Sequence, residues 1–281
     1  MPPALIIARL TIFEAIRRRV VLTVLILTPI VIGATGWGFS KMTHLTDDKG
    51  APLAHSEVLL NQAVLLILIA FMFSVVLAIG AAFLAAPSLA SDIESGLLLA
   101  MLPRPIRRAD LVIGKWLGLA TPLVLYAFPA GGIELEVVKI ASGYVPPDPV
   151  RAIAYIAAQS LILLTLTLTL STRLAPMASG IIVVVLFGAG WIIGLAQSIG
   201  TTFHNQAIAN AGSAFSLIFP SDGLWRGAVS AMEPAVVSAE GIRVDPLITT
   251  SSPTIAYLVW ACLWGLGVLA CGIYSFSQRD L

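Results

Sequence analysis

The residues from which this chain could build chemistry are few, and their spacing argues against most of it. Glu134 and Glu136 lie in an otherwise apolar run that ends near Lys139. Ionisable groups at membrane depth mark ion or proton pathways by default. Two residues two apart on a helix face different directions, however, and form no dyad. They fit the outer mouth of a pathway, or the water interface beyond a span that ends near Gly132; the second is the expectation. His44, His55 and His204 are scattered over two polar connections, without the paired spacing that a zinc protease needs. Gly114-Lys115 has no glycine at the upstream position that a phosphate-binding loop requires. The expectation is a chain with no metal or cofactor of its own and no device for hydrolysing ATP.

The elements that hold these residues follow from composition. Of 281 residues, 58% are hydrophobic and 11% charged, where a soluble domain carries about a quarter charged residues. Mean hydropathy is +0.96. Apolar runs long enough to cross a bilayer recur at about 20–39, 62–89, 111–138, 153–172, 176–199 and 254–276. In lipid only helices or closed barrels satisfy the backbone, and unbroken runs of this length mean helices. The fold class is an all-α integral membrane protein of six transmembrane helices in a single domain, 1–281. A net charge of +1 gives no reason to expect nucleic acid. Cys262 and Cys271 are nine apart in one run, on opposite faces of a helix with about 13 Å of rise between them, and cannot bridge.

Six spans put both termini on one side, and Lys and Arg choose which. With the termini inside, ten basic residues fall on inner segments, clustered at span ends, against six on outer ones. Arg17, Arg18 and Arg19 head the inner set. Residues 1–19 read as a basic interfacial helix, or more blandly as a charged anchor, and the first span behind them as a transmembrane helix rather than a signal peptide. Leu5, Ile12, Phe13 and Ile16 share its apolar face, with Thr11, Glu14 and Arg18 opposite.

The inner loop 91–110 is the most informative segment. Ser91 and Glu94 form a capping-box pattern with Asp92 beside them, and Pro103 and Pro105 stop the apolar run between. A capped apolar helix with charged borders fits a docking element for another protein, or a helix folded back on the membrane surface. In the outer segment 200–253, Pro220 divides a semi-hydrophobic stretch into pieces too short to span. Backbone of that kind is tolerated at membrane depth only when buried in protein or lining a cavity. Ser221 and Asp222 are placed to cap the second piece, with Arg226 its buried or interfacial charge. A loop on the outer surface, anchored by Trp225, is the competing reading.

Ser95-Gly96, the leucine-rich run after it, Arg104-Pro105-Ile106 with Arg108, and Gly114-Lys115 resemble the inner loop of ABC-2-type transporter permeases. Leu97 stands where that family commonly has Thr. Phe219-Pro220-Ser221-Asp222-Gly223-Leu224-Trp225-Arg226 is similar to the family's segment before its last span, and the Phe276–Leu281 ending and the basic N-terminal helix match as well. The resemblance implies a coupling helix in 91–110 that touches a separate ATPase. On that resemblance Asp92, Glu94, Leu98, Met101, Arg104 and Arg108 are the expected contact residues. It also implies a re-entrant pair carrying Pro220, Asp222, Trp225 and Arg226, and a second permease copy. ATP and Mg would be bound by the ATPase partner, none in this chain. The expected protein is thus an exporter subunit in the cell membrane; a non-transporting membrane scaffold or an intramembrane enzyme is the alternative.

Overall fold

The computed structural model describes residues 2–17, 19–42, 55–94, 107–234 and 252–278. Within them the chain is helical: α1 (Pro3–Arg17), α2 (Arg19–Met42), α3 (His55–Glu94), α4 (Arg108–Ser142), α5 (Pro149–Leu170), α6 (Pro176–Thr202), α7 (Gln206–Ile218), α8 (Ser221–Met232) and α9 (Ile255–Ser277). Six of these, α2–α6 and α9, are long and apolar enough to cross a membrane. The protein is a multi-pass membrane protein.

Local chemistry sets the helix ends. Gly143, at φ +75°, ends α4 with its N–H on the Lys139 carbonyl, a left-handed cap that a side chain would strain. Pro149 and Pro176 open α5 and α6, where a missing N–H costs nothing. Asn205 and Thr254 cap α7 and α9 through side-chain oxygens.

Two expectations change. Residues 91–94 are the last turn of α3, so Ser91 does not begin a helix and the capping-box reading fails; the apolar run before it simply continues in the same helix. Span three does not end near Gly132. Helix α4 continues to Ser142 and buries Glu134 at 7% exposure, while Glu136 pairs with Lys139 at 3.1 Å on the exposed side. Helix α1 turns its small residues to the bundle and leaves much of the apolar face of its wheel outward. Its buried residues are Ala8, Thr11 and Ala15, whereas Leu5, Phe13 and Ile16 are about half exposed.

The fit of α1 against α4 explains which face is buried. Between helices in lipid, apolar surface supplies no drive to associate, and close fit of small residues decides. Gly114 and Gly118 of α4 provide the fit: a Cβ on Gly114 would come within 2.7 Å of the Ala4 carbonyl, and one on Gly118 within 2.7 Å of the Ala8 carbonyl. Helix α2 is fastened to α4 by Thr28 with Tyr126 at 2.7 Å and by Thr35 donating to Glu134 at 3.1 Å. Most of its remaining surface, including Leu25, Ile26 and Ile30, is exposed and therefore free for lipid. Around Glu134, Phe73 and Met232 lies a cavity of ≈ 30 Å³ with an almost wholly apolar lining.

Candidate functional site

The feature that sets this bundle apart is the helix pair α7–α8. From the end of α6 the chain turns at His204, with φ 58°, and α7 runs back down α6. Gly200 lies against Ile208, Gly212 against Gln197, and Gly190 against Phe215 and Phe219. The chain reverses at Pro220, and α8 climbs again. Asp222 lies at Gly194 and Gly227 against the Tyr155 ring. At the top, the Ala231 carbonyl accepts from the Asp148 N–H at 3.1 Å and the Met232 carbonyl from the Tyr144 hydroxyl at 2.7 Å. Ser221 meets Gln159, ten residues into α5, so the reversal lies about 15 Å below the top of that helix at 1.5 Å per residue.

A polar helix buried to this extent needs its charges satisfied. Arg226 Nε donates to Asp222 at 2.8 Å, and its Nη2 donates to the Gly194 carbonyl at 3.1 Å and to Gln197 Oε1 at 2.6 Å. Gln197 Nε2 donates in turn to Ser213 at 2.9 Å. One guanidinium thus holds α6, α7 and α8 together. On the opposite flank, Ser74 of α3 donates to Gln159 Oε1 at 2.7 Å, and Gln159 Nε2 donates to the Ser221 carbonyl and hydroxyl, each at 3.2 Å. Trp225 is buried, edge-on to Phe71 with ring centroids 5.5 Å apart. Tyr257 and Trp260 of α9 donate to the carbonyls of Ser216 and Leu217, at 3.2 and 2.9 Å.

Pro220, Asp222, Trp225 and Arg226 therefore converge, in roles that differ in detail from those read in the sequence. The N-cap position of α8 is Pro220, without a side-chain cap. Ser221 and Asp222 sit in the first turn instead, where Asp222 is taken by Arg226 and Ser221 by Gln159. Trp225 is core rather than an interfacial anchor. Sequence reasoning missed Gln159, Ser74 and Gln197. The available signal was an amide or hydroxyl in the middle of an apolar run, and only packing reveals which of these face each other.

Leu98, Met101 and Arg104 lie outside the described residues. Asp92 and Glu94 lie within α3 by backbone only. Arg108 is the first residue of α4, and its Nη1 donates to the carbonyls of Phe276 and Ser277, at 3.3 and 2.9 Å. Lys115 is buried and donates to the Ser88 carbonyl at 2.8 Å.

Glu233, just past α8, is 6% exposed, and its Oε1 has no hydrogen-bond partner among the described residues. Burial pushes its carboxyl up to about 7. The neighbouring Tyr144 phenol is raised as well, by burial first and by the Glu233 charge second. Among the described residues no cluster of three His, Cys, Asp or Glu could hold a metal ion. Cys262 and Cys271 are both free and exposed.

Comparison with known proteins gives one match and one blank. A family model described as ABC-2 family transporter protein matches residues 5–281. A search of curated proteins finds no match.

Proposed function

This chain belongs to the ABC-2 family of transporter proteins, and from that membership we propose that it is the permease subunit of an ATP-driven exporter. The family's membrane component is not itself the ATPase, and the family implies an ATPase subunit as partner. In this reading the end of the bundle bearing Arg108 and Arg173 is cytoplasmic, and the ATPase docks on the segment around Asp92, Glu94, Leu98, Met101 and Arg104. A second copy of the permease completes the pathway. ATP binding shifts the permease only insofar as it favours one conformation over another.

The observation that carries the reading is the α7–α8 pair. It descends about halfway through the bundle and returns, and its backbone and charges are satisfied by protein. Such a segment lies re-entrant at the outer face and closes the pathway from that side. A scaffold needs an ATPase dock no less than a transporter does, but it has no use for a helix pair that enters to half depth and returns.

The test is retention of the ATPase in mild detergent by the parent chain and by a Glu94→Arg, Leu98→Asp double variant. The parent retains its ATPase and the variant loses it while remaining membrane-inserted. Equal retention by both would move the contact elsewhere in the chain, and no retention by the parent would remove the transporter's engine.

A further inference from the structure

Helix α9 is held by hydrogen bonds near its two ends, packed along α5 on one flank and exposed on the other. At the end near Arg108, its last-turn carbonyls have no partner inside the helix. Arg108 takes those of Phe276 and Ser277, and Arg173, in the turn between α5 and α6, takes the Ser275 carbonyl at 3.1 Å and its hydroxyl at 2.9 Å. Two guanidinium groups therefore stand at the negative end of the helix dipole. At the far end the relation is mirrored. Tyr257 and Trp260 of α9 donate to Ser216 and Leu217, last-turn carbonyls of α7 that lack intrahelical partners for the same reason. Between the ends α9 rests along α5, with Gly265 against Ile162 and the Thr169 hydroxyl on the Val268 carbonyl at 3.1 Å. Val259, Leu263 and Leu266 are more than half exposed.

We infer that α9 is the connecting rod that carries motion of the first turn of α4 to the reversal at Pro220, with Arg108, Arg173, Tyr257 and Trp260 as its positioning residues. From Tyr257 to Ser277 the helix is about 30 Å of stiff backbone, and its exposed flank opposes sliding or tilting with no protein side chains. Arg108 leads the chain out of segment 95–106 into α4, so a push on that segment reaches Ser277 through one side chain. Tyr257 and Trp260 deliver it to the last turn of α7, at carbonyls four and three residues before Pro220. Conformational coupling requires a physical element whose position both ends bias, and α9 meets both ends by hydrogen bonds to helix termini. This relay rests on the transporter reading above.

The experiment uses the full chain purified with its ATPase in lipid nanodiscs, with Cys262 and Cys271 replaced by Ala and an Ile218→Cys reporter. The rate of maleimide labelling at 218 is read with and without ATP plus vanadate. The parent shows a nucleotide-dependent change in rate. An Arg108→Gln, Arg173→Gln pair, and separately the conservative Tyr257→Phe, Trp260→Phe pair, abolish that change while the ATPase is retained and hydrolyses ATP. Arg108→Lys with Arg173→Lys restores part of it. A response of parental size in both cut variants would overturn the relay, as would a parent that holds its ATPase yet shows no change. A parent that holds no ATPase overturns the transporter reading itself.

Discussion

Arg226 and Asp222 form a 2.8 Å ion pair one turn apart on a helix that is itself buried, with the Arg226 and Asp222 side chains 17% and 5% exposed. On a solvated helix such a pair contributes well under 1 kcal/mol. Here, breaking it strands a charge among α6, α7 and α8. Asp222→Ala is expected to lower stability by about 3 kcal/mol or more, while an Asp222→Leu, Arg226→Met double variant loses much less than the sum of the single changes. Thermal unfolding in detergent of the two single variants and the double measures this. Additive losses would mean that the two charges do not depend on each other.

The Gly190-x-x-x-Gly194 face of α6 makes a sharper, two-position prediction. A Cβ on Gly194 would fall on the Asp222 carboxylate, whereas one on Gly190 would sit 3.5 Å from the Phe219 ring, in ordinary contact. Gly194→Ala should therefore destabilise by about 1–3 kcal/mol through overpacking and displaced charge, and Gly190→Ala should be near neutral or mildly stabilising. The same unfolding assay separates them. Equal effects at the two positions would show that α8 does not seat where it is drawn.

Glu233 gives a pH dependence whose sign is fixed. Its carboxyl titrates near 7 in the fold and near 4.5 when unfolded, so between those values the folded state holds the extra proton. Stability from this group is then fully present below about 4.5 and is lost as pH rises through 7. Glu233→Gln should flatten that part of the stability profile and raise stability at pH 8. A profile unchanged by the substitution would show that Glu233 is ionised and solvated.

How much of this was legible beforehand depended on whether a property belongs to one run or to a pair. The spans, the break at Pro220, and the presence of Asp222 and Arg226 beyond it are properties of single runs, and hydropathy with proline chemistry exposes them. The end of a span is harder to read. Glu134 and Glu136 look like an interface in sequence, yet Glu134 is taken inside by Thr35 of another helix. Ser91 with Glu94 is a sound local start signal, but the helix already running through it suppresses the start. Gln159 meeting Ser74 and Ser221, and Arg226 meeting Gln197, depend on which helices become neighbours, which no single run states. Which face of α1 meets α4 is likewise not stated by its wheel: Ala8, Thr11 and Ala15 turn inward because close packing rewards small residues rather than large apolar ones.

The seat of α1 has a consequence for the order in which the protein is made. Gly114 and Gly118, on which the helix rests, are synthesised roughly a hundred residues after it, a delay of about 5–20 s at ordinary translation rates. Until then Ala8, Thr11 and Ala15, the residues that the bundle later buries, have no protein to rest on. The amino-terminal helix must therefore wait on the membrane and dock late, and a ribosome stalled before α4 would leave it afloat beside a half-inserted bundle.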